Sequence, residues 1–551
     1  MDKKDLARVL KEIGIALELT DSNPFRARSY LNAARAIEKS PLTLQQLLIE
    51  GQAAQLKGVG TSLMERLQEW HQTGTIGMHT ELLAQIPEGL WEVLQVPGLG
   101  SKRVRVLYEV LSVTSLAELE YACHENRLLE LKGFGPKMQQ NVLAGLAEVK
   151  ARRGQMLLPD ALSAAEPLLM LLRQHPLSQR AELTGELRRS CPIVKQLEFV
   201  VSCNQPRELL ASLEQIFPET IAWEIAQFDT RQGQTPNGLS VVVHVCRPEQ
   251  FACTWWQSTG STAHIEQALG HAGETIDALA ALPDEQSIYS ALGLTFVPPI
   301  LREGEDEVRW AATGKMPTLV QVGDLLGTVH NHTSWSDGVA TLQELAAAAE
   351  QIGWSYLGIA DHSQTAVYAG GLTPERVLAQ WQEIDQYNAT GKVRLLKGIE
   401  SDILPDGQLD YDDHLLAGFD YLVASVHSQL RQPAELLMPR LLKALRHPAT
   451  TILGHPTNRL LLGRLESAVD MQVIITEAAQ LGKALELNAN PHRLDLDWRW
   501  CRQAKQAGVK IAINPDAHRV SGLQDVHFGL LMAQKAGLTK EDLWHYEQNR
   551  G

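Results

Sequence analysis

The segment Gly327-Thr328-Val329-His330-Asn331-His332-Thr333-Ser334-Trp335-Ser336-Asp337-Gly338 sets two histidines and an aspartate within eight residues. Its opening run, Gly327 to His332, is β-branched and apolar, which predicts a strand. Side chains two apart on a strand leave the same face, so His330 and His332 converge on one point, at a spacing suited to ligating a metal. Alone, a His-x-His pair is equally a surface accident or a pair of core histidines. Six later positions of the chain decide between these.

After Pro298-Pro299 and Gly304-Glu305-Asp306, strand and helix patterns alternate. Strands are predicted over Leu325 to His332, Tyr356 to Ala360, Val393 to Ile399, Tyr421 to Val426, Thr451 to Leu453, Ala484 to Leu487 and Lys510 to Ile513, each followed by a helix. In a β/α barrel the residues just past the strand ends gather at one mouth, where active sites sit. Those positions hold His330, His332, Asp337, His362, Glu400, His427, His455, Asp516 and His518. Any one of them is ordinarily a surface or satisfied core residue, but nine metal-ligand types at successive strand ends are not nine coincidences.

The remainder of the chain sets bounds on class and compartment. Its 551 residues exceed one core and predict several domains, and 44% apolar with 21% charged residues is a globular composition. A net charge of -15 argues against a protein coated in basic residues, so nucleic-acid binding must be argued locally. Cys123, Cys191, Cys203, Cys246, Cys253 and Cys501 are scattered, without a C-x-x-C or an even ladder, which indicates neither a disulfide framework nor a zinc knuckle. With no uncharged run of about 18 residues, the expectation is a cytoplasmic protein without a membrane span.

Before residue 150 an apolar-x-Gly-x-Gly phrase recurs: Leu56-Lys57-Gly58-Val59-Gly60, Val96-Pro97-Gly98-Leu99-Gly100 and Leu131-Lys132-Gly133-Phe134-Gly135, each opening a predicted helix. Glycine lets the backbone approach a ligand closely, and the helix start offers free N–H groups and a positive dipole end, for which phosphate is the natural occupant. Lys57, Arg66, Lys102, Arg103, Arg105, Lys132 and Lys137 accompany the three turns. The pattern resembles the helix-hairpin-helix, which implies non-sequence-specific contacts to the DNA backbone. The expected DNA-binding positions are Gly58, Gly60, Gly98, Gly100, Lys102, Gly133, Gly135 and Lys137.

Between Leu158 and Arg302, the stretch Gly185-Glu186-Leu187-Arg188-Arg189, then Gln196-Leu197-Glu198 on an apolar run, is similar to the family X DNA polymerase palm. Thr259-Gly260-Ser261 and Ala263-His264 resemble that family's nucleotide-site loop. The order of parts matches bacterial members. In them the pattern reads Gly-Ser, a basic stretch and Asp-x-Asp; here those carboxylate positions hold Gln196 and Glu198, and an ungapped count places the third on Val242. Two Mg²⁺ ions need several carboxylates, which one glutamate cannot replace. The expectation is a palm that keeps its fold and has lost nucleotide transfer.

The strand-end residues from Leu325 onward, with Gly398-Ile399-Glu400, Ala424-Ser425-Val426-His427-Ser428 and Gly454-His455-Pro456-Thr457, resemble the polymerase and histidinol phosphatase (PHP) domain family. That resemblance implies a distorted (β/α)7 barrel carrying up to three divalent ions, Mn²⁺, Zn²⁺ or Fe²⁺, on the nine residues named above. Glu400 and Asp516 are the candidate metal-bridging, catalytic carboxylates. Arg459 and Arg493 are candidates to pair with phosphate oxygens, and Asp361 to orient a histidine.

The expected organisation is therefore a helical DNA-binding domain with the first hairpin over 1–85, a further hairpin pair over 86–155, a degenerate α+β palm and thumb over 156–317, and the phosphoesterase barrel over 318–551. The chain as a whole resembles a bacterial family X DNA polymerase with a C-terminal PHP domain. That implies metal-dependent DNA phosphoester hydrolysis, a 3′-5′ exonuclease or 3′-end processing activity in repair. The alternatives are a small-molecule phosphatase of the histidinol-phosphate type and a non-catalytic DNA-binding scaffold.

Overall fold

The computed structural model describes residues 3–20, 24–39, 59–151, 154–217, 222–227, 229–235 and 239–546. These fall into two compact units, one of residues 1–123 and 131–149, the other of residues 124–130 and 150–551.

The first unit is helical. The expected hairpin helices form as Thr61–Thr73, Ser101–Leu111 and Pro136–Ala151. Gly98 and Gly133 take φ of +84° and +91°, a conformation that L side chains adopt only with strain. Gly60, Gly100 and Gly135 have ordinary φ, and a Cβ at any of them would meet nothing within 4 Å. No neighbouring group of the protein demands glycine at these three positions. Lys132 and Lys137 are exposed, while Arg103 braces its own turn through Nη1 to the Gly98 carbonyl at 2.8 Å. Lys57 and Gly58 lie outside the described residues.

In the second unit, a five-stranded sheet runs in the order Arg180–Leu183, Gln196–Ser202, Ser240–Cys246, Thr230–Gln234 and Ala222–Gln227. Gln196–Ser202 and Ser240–Cys246 pair in parallel with Glu198 opposite Val242, so Gln196, Glu198 and Val242 share one face. His244 Nε2 lies 3.7 Å from Glu198. Arg188 forks onto Glu285 at 2.7 and 2.8 Å, and Arg189 bonds Glu303 at 2.9 Å. His264 is fully buried between Glu307 and Tyr289.

The barrel has seven strand positions. Gly327–Thr328, Tyr356–Ile359 and Arg394–Lys397 form one parallel run, and Glu400–Asp402, Val423–Ser425, Ile452–Leu453, Ala484–Asn488 and Ile511–Asn514 another. The third strand is broken in two at Gly398-Ile399. Tyr421 explains the break: a Cβ on Gly398 would stand 2.1 Å from its ring, and its hydroxyl donates to the Ile359 carbonyl at 2.7 Å. The His362 to Glu400 and Asn331 to Ala517 bridges close the ring. Local chemistry sets the helices. Leu342–Ile352 opens on a Thr341/Glu344 capping box, buries Leu342, Leu345, Ala346 and Ala349 on one face, and ends where Gly353 turns left-handed at φ +92°.

The barrel and the five-stranded sheet share packing. Phe528 and Leu531, on the helix Val526–Lys535, lie against both hydrophobic cores. At the end of that helix Lys535, 1% exposed, bonds the Arg189 carbonyl at 2.9 Å and the Glu303 carboxylate. We expect Lys535→Met to cost about 2–3 kcal/mol of stability in urea titrations; this is below the roughly 3–5 typical of a broken buried pair because Arg189 still holds Glu303.

Candidate metal centre

All nine strand-end residues meet at the barrel mouth, and Glu400 lies at their centre. Its Oε1 is 3.0 Å from His455 Nε2, 3.1 Å from His427 Nε2 and 3.3 Å from His330 Nε2, and its Oε2 is 3.0 Å from His362 Nδ1. Asp516 Oδ1 lies 3.1 Å from His332 Nε2, and Asp337 Oδ2 lies 3.4 Å from His362 Nε2 and 3.5 Å from His518 Nε2. Among the described residues, the groups here with donor atoms close enough to hold an ion include His332, Asp337, His362 and His518; His330, His332 and Asp516; His362, Glu400 and His427; and Glu125, Asp516 and His518.

These residues fit cations better than they fit one another. Buried His330 Nε2, both nitrogens of His332 and of His362, His518 Nε2, Asp337 Oδ2 and Glu400 Oε2 have no hydrogen bond. Leaving so many buried polar atoms unsatisfied is costly unless a cation takes their lone pairs. Imidazole and carboxylate donors suit divalent transition metals. His455 and Asp516 also hold left-handed backbone, with φ of +24° and +53°, strain of a kind that clusters at functional sites.

Protonation in the ion-free cluster follows the same geometry. Burial works against charge on His427, but Glu400 and Asp402 overcome it and push its pKa up to about 10. His518 goes to about 9 in spite of burial, chiefly through Asp337. His332 falls to about 3 because burial, His518 and His362 all oppose its charge. Glu400, Asp337 and Asp516 stay well below the usual carboxylate range against burial, held there by the facing histidines.

Two orienting carboxylates are not evident from the sequence. Glu486 accepts from His330 Nδ1 at 2.7 Å and from the His455 N–H at 2.7 Å, and Asp402 accepts from His427 Nδ1. The available signal was period two: Asp402 follows Glu400 by two on its strand, and Glu486 precedes Asn488 by two. Asp361, expected to orient a histidine, instead binds the Thr333 N–H and hydroxyl at 2.8 and 2.7 Å and Gln380 at 2.6 Å, fixing the loop after His332. Arg459 is not held for phosphate. Its guanidinium bonds Asp497 at 2.7 Å, the Arg493 carbonyl at 3.0 Å and the Leu494 carbonyl, a structural clamp between two loops. Arg493 is buried, 3% exposed.

The barrel carrying this cluster is a PHP domain: residues 328–490 match that family, while a helix-hairpin-helix domain matches residues 1–76 and a SAM-like helix-hairpin-helix tandem residues 92–148. PHP domains are metal-dependent, and these side chains could hold the ions. The DNA polymerase/3′-5′ exonuclease PolX of Bacillus subtilis (strain 168) is 34% identical over 552 residues, covering 97% of this chain and 96% of that protein. The chain belongs to the PolX family. A probable phosphatase of Thermoanaerobacter sp. (strain X514) is 25% identical over 231 residues, 38% of this chain and 86% of that protein. One of Caldanaerobacter subterraneus is 26% identical over 208 residues, 34% of this chain and 74% of that protein. Among the described residues no helix is long and apolar enough to cross a membrane.

A metal ligand must be a neutral imidazole, yet His427 and His518 carry raised pKa values and are protonated at pH 7 without ions. Ion binding should therefore release protons and tighten from pH 6 to pH 8, by up to about tenfold per pH unit for each proton displaced. Calorimetric titrations in buffers of different ionisation heat would read this directly, and buffer-independent heats would contradict it. Asp402→Asn, which loosens the His427 ring, is expected to weaken ion binding about 10–100-fold with the fold intact, as measured by competition with a chelator.

Proposed function

We propose that this chain is a metal-dependent DNA phosphoesterase, a 3′-5′ exonuclease or 3′-end processing enzyme in repair, whose helical unit grips the DNA backbone and whose polymerase-like domain no longer transfers nucleotides. The carrying observation is the set of orphaned donor atoms converging on Glu400, Asp337 and Asp516 in a chain that also has the backbone-binding hairpins. When bound, up to three ions such as Mn²⁺, Zn²⁺ or Fe²⁺ would supply charge neutralisation for a phosphate and acidify water to hydroxide near neutral pH. His330, His332, Asp337, His362, Glu400, His427, His455, Asp516 and His518 would hold them. Glu486 and Asp402 keep the Nδ1 protons of His330 and His427 occupied, so the Nε2 lone pairs face inward. Glu400 faces histidines from four strand positions and Asp516 faces His330 and His332, so these two carboxylates would supply much of the negative charge that holds the ions. The dry walls around them strengthen every charge interaction with a bound phosphate.

Loss of nucleotide transfer is supported by what stands on the palm face. Of Gln196, Glu198 and Val242 only Glu198 is a carboxylate, and among the described residues no ion-holding group includes it. Arg188 and Arg189, in the stretch after Gly185-Glu186, are committed to Glu285 and Glu303. On the helical unit we place DNA contacts at Gly60, Gly98, Gly100, Lys102, Gly133, Gly135 and Lys137, which is supported by the open space over Gly60, Gly100, Gly133 and Gly135.

The test is a Mn²⁺-supplemented reaction on a 5′-labelled primer-template, with and without nucleotides, comparing the native chain with His332→Ala and Asp516→Asn. Expected are primer shortening by the native chain, a loss of at least about 100-fold in both variants, and extension in no lane. Extension would refute the loss of nucleotide transfer. Intact DNA beside turnover of a small phosphomonoester would turn the reading to the phosphatase class, to which the barrel-only relatives point.

A further inference from the structure

Residues His124–Glu130 lie in sequence within the helical unit but group with the larger one, beside the metal centre. The turn Arg127–Glu130 packs on the turn Val367–Ala369, which comes after His362 along the chain. The Arg127 guanidinium stacks 4.7 Å over the Tyr368 ring, whose centroid is 6.2 Å from that of His362. Glu125, 3% exposed, pairs with Arg127 at 2.9 Å, and one of its carboxylate oxygens lies within 4.8 Å of ligand atoms of Asp516 and His518. His124 anchors the other end, 2.8 Å from Arg519 and with its ring centroid 4.8 Å from that of His492, tilted by 33°.

A buried carboxylate beside the aspartate Asp516 is unfavourable by charge, and Arg127 together with the cations of a loaded cluster are what compensate it. Carboxylate and phosphate oxygens are alike as hard anionic donors, both to divalent ions and to a guanidinium fork. We propose that His124–Glu130 is a strap in which Glu125 stands in for the substrate's phosphate, and that phosphate displaces Glu125 and takes over Arg127. This rests on the phosphoesterase reading and adds to it a phosphate-binding residue and a built-in competitor. Arg127 thus does the work for which Arg459 is not available.

The experiment measures binding of inorganic phosphate to the Mn²⁺-loaded full chain by paramagnetic broadening of its ³¹P resonance, together with ions retained per chain and the melting temperature. Glu125→Gln should raise phosphate affinity about tenfold, the factor expected if the strap is closed about nine times in ten, with ion content unchanged. Adding Arg127→Gln to that variant should abolish the gain. Loss of ions in Glu125→Gln would make Glu125 a structural ligand and overturn the proposal, as would unchanged phosphate affinity or a gain that survives the second substitution. Neither readout needs turnover, so an uncut primer alongside the expected phosphate shifts would count against the nuclease reading and not against the strap.

Discussion

Glu400 is a carboxylate, 1% exposed, on which four histidines from separate strand positions converge. An isolated charge in such a place is unfavourable by many kcal/mol, and the imidazoles balance it only while they hold protons. The same constraint runs through Asp337 and Asp516, and it explains why the donor atoms around them are orphaned. The cluster leaves many buried donor atoms without a hydrogen bond, which suits it to cations. The barrel's departures from regularity serve this arrangement. The third strand breaks at Gly398 just ahead of Glu400, and His455 and Asp516 hold left-handed backbone.

The palm-like domain shows the opposite balance. Its charged side chains find protein partners: Arg188 with Glu285, Arg189 with Glu303, His264 with Glu307 and Tyr289. In the barrel cluster, by contrast, buried donor atoms are left without a hydrogen bond. In the palm-like domain the compensation is internal, and the domain is tied to the barrel through Lys535 and the shared packing of Phe528 and Leu531.

Much of this was legible in the chain because the relevant signals are local. The expected strand Leu325 to His332 is longer than the regular strand, Gly327–Thr328, yet His330 and His332 still converge, with ring centroids 5.3 Å apart, and an apolar run ending in a polar residue marks where the later strands close. What could not be read was where a side chain's far end goes. Arg459 had the right chemistry and neighbourhood for phosphate, yet its guanidinium reaches Asp497, 38 residues on. Asp361 comes after a strand as a ligand would but turns to Thr333 and Gln380.

The sequence by itself determined the seven strand and helix units, the repeated glycine turns and which residue types stand at each strand end, since periodicity, capping and turn chemistry act over a few residues. The tertiary structure alone decided that Glu486 and Asp402 orient His330 and His427, that the third strand divides around Tyr421, and that His124–Glu130 lies beside Asp516 and His518. Each of these depends on which distant segments become neighbours when the ring closes, and no local pattern carries that information.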